Sequence, residues 1–136
     1  VKTMRAHGAK CYLVSGGFDF LLDHISNICG FDGYHGNHMI VDDNVIKGEI
    51  SPPILDRGAK AKYLRNYCKS LGIDSVDTAS IGDGANDLEM LAHSDMGVAY
   101  HGQKLLRDTI ALQLNYSDLN GLLYLQGYSD KEFFRA

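Results

Sequence analysis

The sequence predicts an α/β domain with three layers and a parallel sheet, and three observations carry that prediction. Short apolar runs alternate with helical stretches along the chain, the pattern of parallel strands joined by helices. Two of those runs, at 10–14 and 76–81, end in glycine-rich turns that lead into helices. The chain has 136 residues, 45% of them hydrophobic, which suits one packed domain over residues 1–136 and is too apolar for a disordered segment.

The elements follow in order. A helix over 1–8 comes first. The run Lys10-Cys11-Tyr12-Leu13-Val14 forms a strand, and Ser15-Gly16-Gly17 turns it into a helix over 18–29. A β-hairpin over 37–50 reads as an insertion into the core. Its arms, Met39-Ile40-Val41 and Val45-Ile46, flank the turn-forming triplet Asp42-Asp43-Asn44. Gly48 loosens the second arm and Pro52-Pro53 ends it. Gly58 precedes a helical pattern over 59–70. Strand 76–81 runs into Gly82-Asp83-Gly84 and a helix over 86–93. Strand 95–99, helix 103–108, strand 110–114 and helix 118–126 complete the alternation. The tail from Ser129, with Phe133 and Phe134, either packs back on the domain or frays.

The most informative stretch is Ile81-Gly82-Asp83-Gly84-Ala85-Asn86-Asp87-Leu88. Two carboxylates four residues apart at a strand-to-helix turn, with glycines that let the backbone come close, suit a hard cation such as Mg²⁺. The plainer reading is a tight turn with Asp87 near the start of the next helix. Ser15-Gly16-Gly17 adds a second signal. Backbone N–H groups at a helix start, beside a hydroxyl and with no Cβ in the way, form an anion site. The plainer reading there is a βα turn with Ser15 as a weak cap.

Lys60 is the third signal. A lysine in the first turn of a helix opposes the helix dipole, and a bound anion facing the ammonium would make that placement tolerable. Lys62, by contrast, reads as a solvated helix lysine. On this reading Lys60→Ala leaves the stability of the free protein nearly unchanged or slightly higher. Ser15 and Asp83 both fall at the carboxyl ends of predicted parallel strands, the edge where open α/β sheets bind ligands. A hydroxyl, a cation-holding carboxylate and an ammonium there suit a phosphate monoester with Mg²⁺.

The motif VSGGF, then a lysine, then GDGANDLEML resembles the haloacid-dehalogenase-like phosphohydrolases, and within them the phosphoserine phosphatases. The similarity extends over nearly the whole chain. It takes in the segment from Val14 to about Asn37, Ile54-Leu55-Asp56 with Lys60, the run from Gly97 to Gln103, and LNGLLYLQGY near the end. The resemblance implies a haloacid-dehalogenase-like core that hydrolyses a phosphomonoester, O-phospho-L-serine above all, with Mg²⁺ as cofactor, in L-serine biosynthesis. It implies that Ser15, Gly16 and Gly17 bind the phosphate and that Lys60 neutralises it. Asp83 would ligate Mg²⁺, Asp87 would support both the metal site and Lys60, and Asn86 would touch the phosphate or a water on the metal.

One departure is large. The family's first motif, Asp-x-Asp-x-Thr, supplies the attacking carboxylate and the general acid, and no such motif occurs in the 136 residues. The start at Val1-Lys2-Thr3-Met4 is similar to the helix just before the serine motif. The nucleophile, its central strand and most of the cap are therefore expected upstream of Val1. That strand would lie between the one ending at Ser15 and the one ending near Gly82, with the missing segment as a partner. The chain alone is expected to be inactive, through lack of the carboxylate that would form an aspartyl-phosphate. Two other readings stand beside this one: a related phosphotransferase, and a fragment that binds Mg²⁺ and phosphate without turnover. A dinucleotide site is disfavoured, because Asp87 occupies the third glycine position of a G-x-G-x-x-G.

The net charge of −4 and the lack of a basic run argue against nucleic acid or a polybasic membrane contact. No apolar stretch approaches membrane length. Cys11 reads as a strand residue, and Cys29 and Cys68 as helix residues. Three cysteines with no CxxC pair suit reduced thiols in a cytoplasmic protein. His35 and His38 flank Gly36-Asn37, but spacing suggests no third metal ligand.

Overall fold

A computed structural model describes residues 1–56 and 58–135; Arg57, within the segment leading to Lys60, and Ala136, at the end of the tail, lie outside them. The described residues gather into two compact units, Val1–Leu55 with the tail from Asp130, and Asp56–Ser129.

The first unit holds helix α1 (Lys2–Ala6), strand β1 (Tyr12–Phe18), helix α2 (Asp19–Cys29), and strands β2 (Gly33–Asp42) and β3 (Val45–Ser51). Its sheet has the order β1-β2-β3. β2 runs parallel to β1, with Tyr12 opposite Gly33 and Val14 opposite His35, and antiparallel to β3, with His38 opposite Ser51 and Asp42 opposite Val45. The predicted hairpin forms between β2 and β3, with a longer first arm than the sequence suggests. Its first arm is the second half of a core strand that starts at Gly33. Gly33-Tyr34-His35-Gly36-Asn37 lacks the apolar alternation of a strand, so the sequence hides it. Gly36 must be bare there: a Cβ would sit 2.9 Å from the Gly17 carbonyl and 3.1 Å from the Asp19 nitrogen. Asp43 and Asn44 take left-handed φ values of 49° and 60°, the pair that a two-residue hairpin turn requires.

β1 also differs from the predicted 10–14. It begins at Tyr12, leaving buried Cys11 just outside, and continues through Ser15-Gly16-Gly17 to Phe18. The step from Val14 to Phe18 spans four residues, whereas its partners His35 and Asn37 are two apart, so the strand bulges at the glycines. Asp32 ties α1 to this sheet. It accepts from Arg5 at 3.0 Å, from Lys10 at 3.3 Å and from the Cys11 N–H at 2.9 Å. Burial raises the Asp32 pKa, but the hydrogen bonds from Cys11, Lys10 and Arg5 outweigh it and hold the carboxyl below its usual range. A depressed carboxyl stabilises the fold above its unfolded pKa and stops doing so as pH falls through the folded value. Asp32→Asn is therefore expected to cost about 1 kcal/mol near neutral pH, since Arg5 and Lys10 are half exposed. That difference should vanish below the carboxylate range, and urea unfolding across pH measures it. The tail packs back on this unit: the Phe134 N–H donates to Thr3 Oγ1 at 2.9 Å.

The second unit holds α3 (Ala59–Leu71), β4 (Ala79–Gly82), α4 (Leu88–His93), β5 (Met96–Tyr100), α5 (Lys104–Thr109), β6 (Leu112–Leu114) and α6 (Asn120–Leu125). Its strands are all parallel in the order β4-β5-β6. Leu91, Ala99, Leu106 and Ile110 form the buried core, with Leu88 and Met90 against it. β4 is shorter than the predicted 76–81. Val76 is 67% exposed, so nothing buries it as a strand residue, and Ser75–Asp77 forms a 3-10 turn instead. A second 3-10 turn, Ala85–Asp87, replaces the predicted start of the helix at 86. α4 approaches β5 so closely that a Cβ on Gly97 would run into the Leu91 carbonyl. Gly97→Ala is expected to cost about 3 kcal/mol, because the obstacle is backbone and cannot rotate away. A fall in the urea midpoint checks this.

Among the described residues, β1 pairs in a ladder only with β2, and β4 only with β5, so each is an edge strand of its sheet. No helix among them is long and apolar enough to cross a membrane. The three cysteines are free.

Candidate active site

Asp87 organises the second unit's predicted site. It closes the 3-10 turn after β4 and is 2% exposed. One carboxylate oxygen accepts the Asp83 and Gly84 N–H groups, each at 3.0 Å. The other pairs with the Lys60 ammonium, which is itself only 13% exposed. Gly82 is required beneath this arrangement, since a Cβ there would strike the Asp87 carboxylate. Lys60 is the second residue of α3, as the sequence places it. The anion that compensates its position is a side chain of the protein. That revises the expected indifference of stability to Lys60→Ala, because the change would leave a buried carboxylate unpaired.

Asp83 follows β4 directly and is exposed. Its backbone is held at both ends: its N–H by Asp87, and its carbonyl by the Gln103 N–H at 2.9 Å. Asn86 is exposed on the same turn. Asp83 lines an open pocket of ≈ 240 Å³ with Ile81, Gly82, Tyr100, His101 and Leu119. His101 has a left-handed φ of 45° and donates from Nε2 to the Ser117 carbonyl at 3.0 Å. The sequence reading assigned no part to Tyr100 or His101.

Asp83 is a hard oxygen donor at a strand end, which fits Mg²⁺ held by one or two carboxylates together with substrate oxygens. Asp87 is occupied by the Asp83, Gly84 and Lys60 groups. Among the described residues, no three His, Cys, Asp or Glu side chains gather as a self-contained metal cage.

In the first unit, Ser15 and Gly17 lie inside β1 and not in a turn at the start of α2. Phe18 occupies the N-cap, with no side-chain cap. The register bulge makes this difference, since the chain stays extended through both glycines. Ser15 Oγ accepts the Gly17 N–H at 3.0 Å, and Gly16 is exposed. Asn37, on β2 and 6% exposed, donates from Nδ2 to the Gly16 carbonyl at 2.8 Å and accepts the Leu55 N–H at 2.9 Å. Next to it, His38 donates to Asp19 at 2.6 Å, which lowers the Asp19 pKa. Sequence reasoning passed over Asn37; its signal was an amide within a polar run beside a glycine. A larger concavity, ≈ 380 Å³, is lined by Lys2, Arg5, Lys10 and Phe134 among others. It contains no predicted site residue. Arg5 and Lys10 are paired with Asp32, and Lys2 lies over the Phe134 ring.

At the carboxyl end of the parallel strand β4, one turn thus joins a buried carboxylate, an ammonium and an exposed aspartate. A family model described as haloacid dehalogenase-like hydrolase matches residues 1–92, and the chain belongs to that family. It is 32% identical over 136 residues to phosphoserine phosphatase SerB2 of Mycobacterium tuberculosis, covering all of this chain and 33% of the relative. It is 33% identical to the phosphoserine phosphatase of Streptomyces coelicolor, over 97% of this chain and 32% of the relative. A crystal structure of phosphoserine phosphatase in apo form superposes with a TM-score of 0.85 at 30% identity, covering 90% of this chain and 62% of that one. The chain thus spans about a third of the length of those two curated relatives.

Proposed function

We propose that this chain is the greater part of a catalytic core that hydrolyses a phosphate monoester, O-phospho-L-serine, to L-serine and phosphate. The observation that carries the reading is the Lys60–Asp87 pair with its hold on the Asp83 and Gly84 amides. An ammonium has three donors. Asp87 fixes one side of it, which leaves donors for phosphoryl oxygens. Ser15 uses its oxygen to accept from Gly17, so its O–H remains to donate. The resemblance adds the Gly16 N–H and Asn86 as further phosphate contacts. Mg²⁺ at Asp83, when bound, would neutralise charge on the phosphoryl group as a Lewis acid.

The attacking carboxylate, which would form an aspartyl-phosphate, is assigned to residues outside these 136, because no Asp-x-Asp-x-Thr occurs within them. The two edge strands β1 and β4 support that assignment, since among the described residues each pairs with a strand on one side only.

Two assays test the reading. The full-length polypeptide carrying this sequence is expected to release phosphate from phosphoserine in a Mg²⁺-dependent way. Material whose intact mass matches residues 1–136 alone is expected to release none. No release by the full-length protein overturns the substrate, and full turnover by the 136-residue chain overturns the external nucleophile.

A further inference from the structure

We propose that Asn37 is a positioning residue that fixes the Gly16–Gly17 peptide plane and thereby aims the Ser15 hydroxyl at the phosphoryl group. This rests on the phosphate role given to Ser15 above. The peptide between Gly16 and Gly17 is one planar unit, with the Gly16 carbonyl on one side and the Gly17 N–H on the other. Asn37 Nδ2 holds the carbonyl at 2.8 Å, and Ser15 Oγ holds the N–H at 3.0 Å. Both polar ends of that plane are therefore pinned by side chains.

The pin is needed because the β ladder does not supply it. Between Val14 and Phe18, β1 is out of register with β2. Two successive glycines also leave the segment with more backbone freedom than any other residue pair. If the plane turned over, the Gly17 N–H would leave Ser15 Oγ, and the hydroxyl would lose the contact that orients it. The Asn37 amide is itself oriented. Its Oδ1 accepts the Leu55 N–H at 2.9 Å, which settles which end faces Gly16. Its neighbour Gly36 lets β2 approach the bulge, where a Cβ would crowd the Gly17 carbonyl. Gly36 and Asn37 together build the cradle for the Ser-Gly-Gly segment, one by lacking a side chain and the other by supplying an amide.

The test uses the full-length polypeptide as wild type, Asn37→Asp, Asn37→Ala and Ser15→Ala. Asn37→Asp is the informative variant. Its carboxylate still accepts from Leu55 but presents oxygen, not N–H, to the Gly16 carbonyl. Hydrogen exchange over residues 15–18 is expected to quicken at least tenfold in Asn37→Asp, with exchange over 19–29 unchanged. The inhibition constant of inorganic phosphate and the KM for phosphoserine should both rise about tenfold, with a smaller change in kcat. Asn37→Ala should match it if it folds, and Asn37→Asp carries the test if it does not.

Wild-type exchange over 15–18 in Asn37→Asp overturns the proposal whatever the substrate is. Faster exchange with unchanged phosphate affinity overturns it too, provided Ser15→Ala weakens phosphate. If Ser15→Ala leaves phosphate affinity untouched, the phosphate role of Ser15 is wrong, and the aiming of its hydroxyl falls with it.

Discussion

Lys60→Ala is expected to lower stability by about 3 kcal/mol or more. The Asp87 carboxylate is 2% exposed, and without the ammonium it is a buried charge with two N–H donors and no counterion. Breaking one side of such a pair costs about 3–5 kcal/mol, far more than an exposed ion pair is worth. Adding Asp87→Asn to Lys60→Ala should recover most of the loss. A neutral amide oxygen can still accept from Asp83 and Gly84, and no charge remains buried. Urea unfolding of the four proteins of this cycle is the measurement. A single variant as stable as wild type would show that the pair contributes little to folding.

Asp83→Asn is expected to do the opposite. Its side chain is exposed and its backbone hydrogen bonds do not depend on the carboxylate, so stability should move by less than about 0.5 kcal/mol. Turnover of phosphoserine by the full-length protein should fall by about 10³-fold or more, the scale on which loss of a charge-stabilising group is felt. Near-normal activity at saturating Mg²⁺ would remove Asp83 from the metal site. The two variants together separate the turn's architecture from its chemistry.

Much of this was legible in the residues because the second unit obeys local rules. Strand, glycine turn and helix follow one another at short range, and the GDGAND turn lies where the sequence places it. The fate of Asp87 was only half legible. Its position near the helix start could be read from spacing, but its 27-residue reach to Lys60 was legible only through the family resemblance, because it depends on packing. The first unit was harder. The bulge at Ser15-Gly16-Gly17 and the strand Gly33–Asp42 determine each other through Gly36 and Asn37, and neither half carries an apolar pattern that would announce it. Hydrophobic periodicity finds elements that bury one face. It is silent where a polar amide and a missing side chain set the backbone.

The contact between Thr3 and Phe134 bears on the order in which the molecule can be made. The first unit draws on two separate stretches, Val1–Leu55 and the residues from Asp130 onward, whereas Asp56–Ser129 is one continuous stretch. During synthesis the second unit is complete as soon as Ser129 clears the ribosome. The first must hold α1 and its sheet together without the Thr3–Phe134 contact until Phe134 follows. Removing the contact, as in Thr3→Val, should therefore leave the later-made unit intact and weaken the one made first.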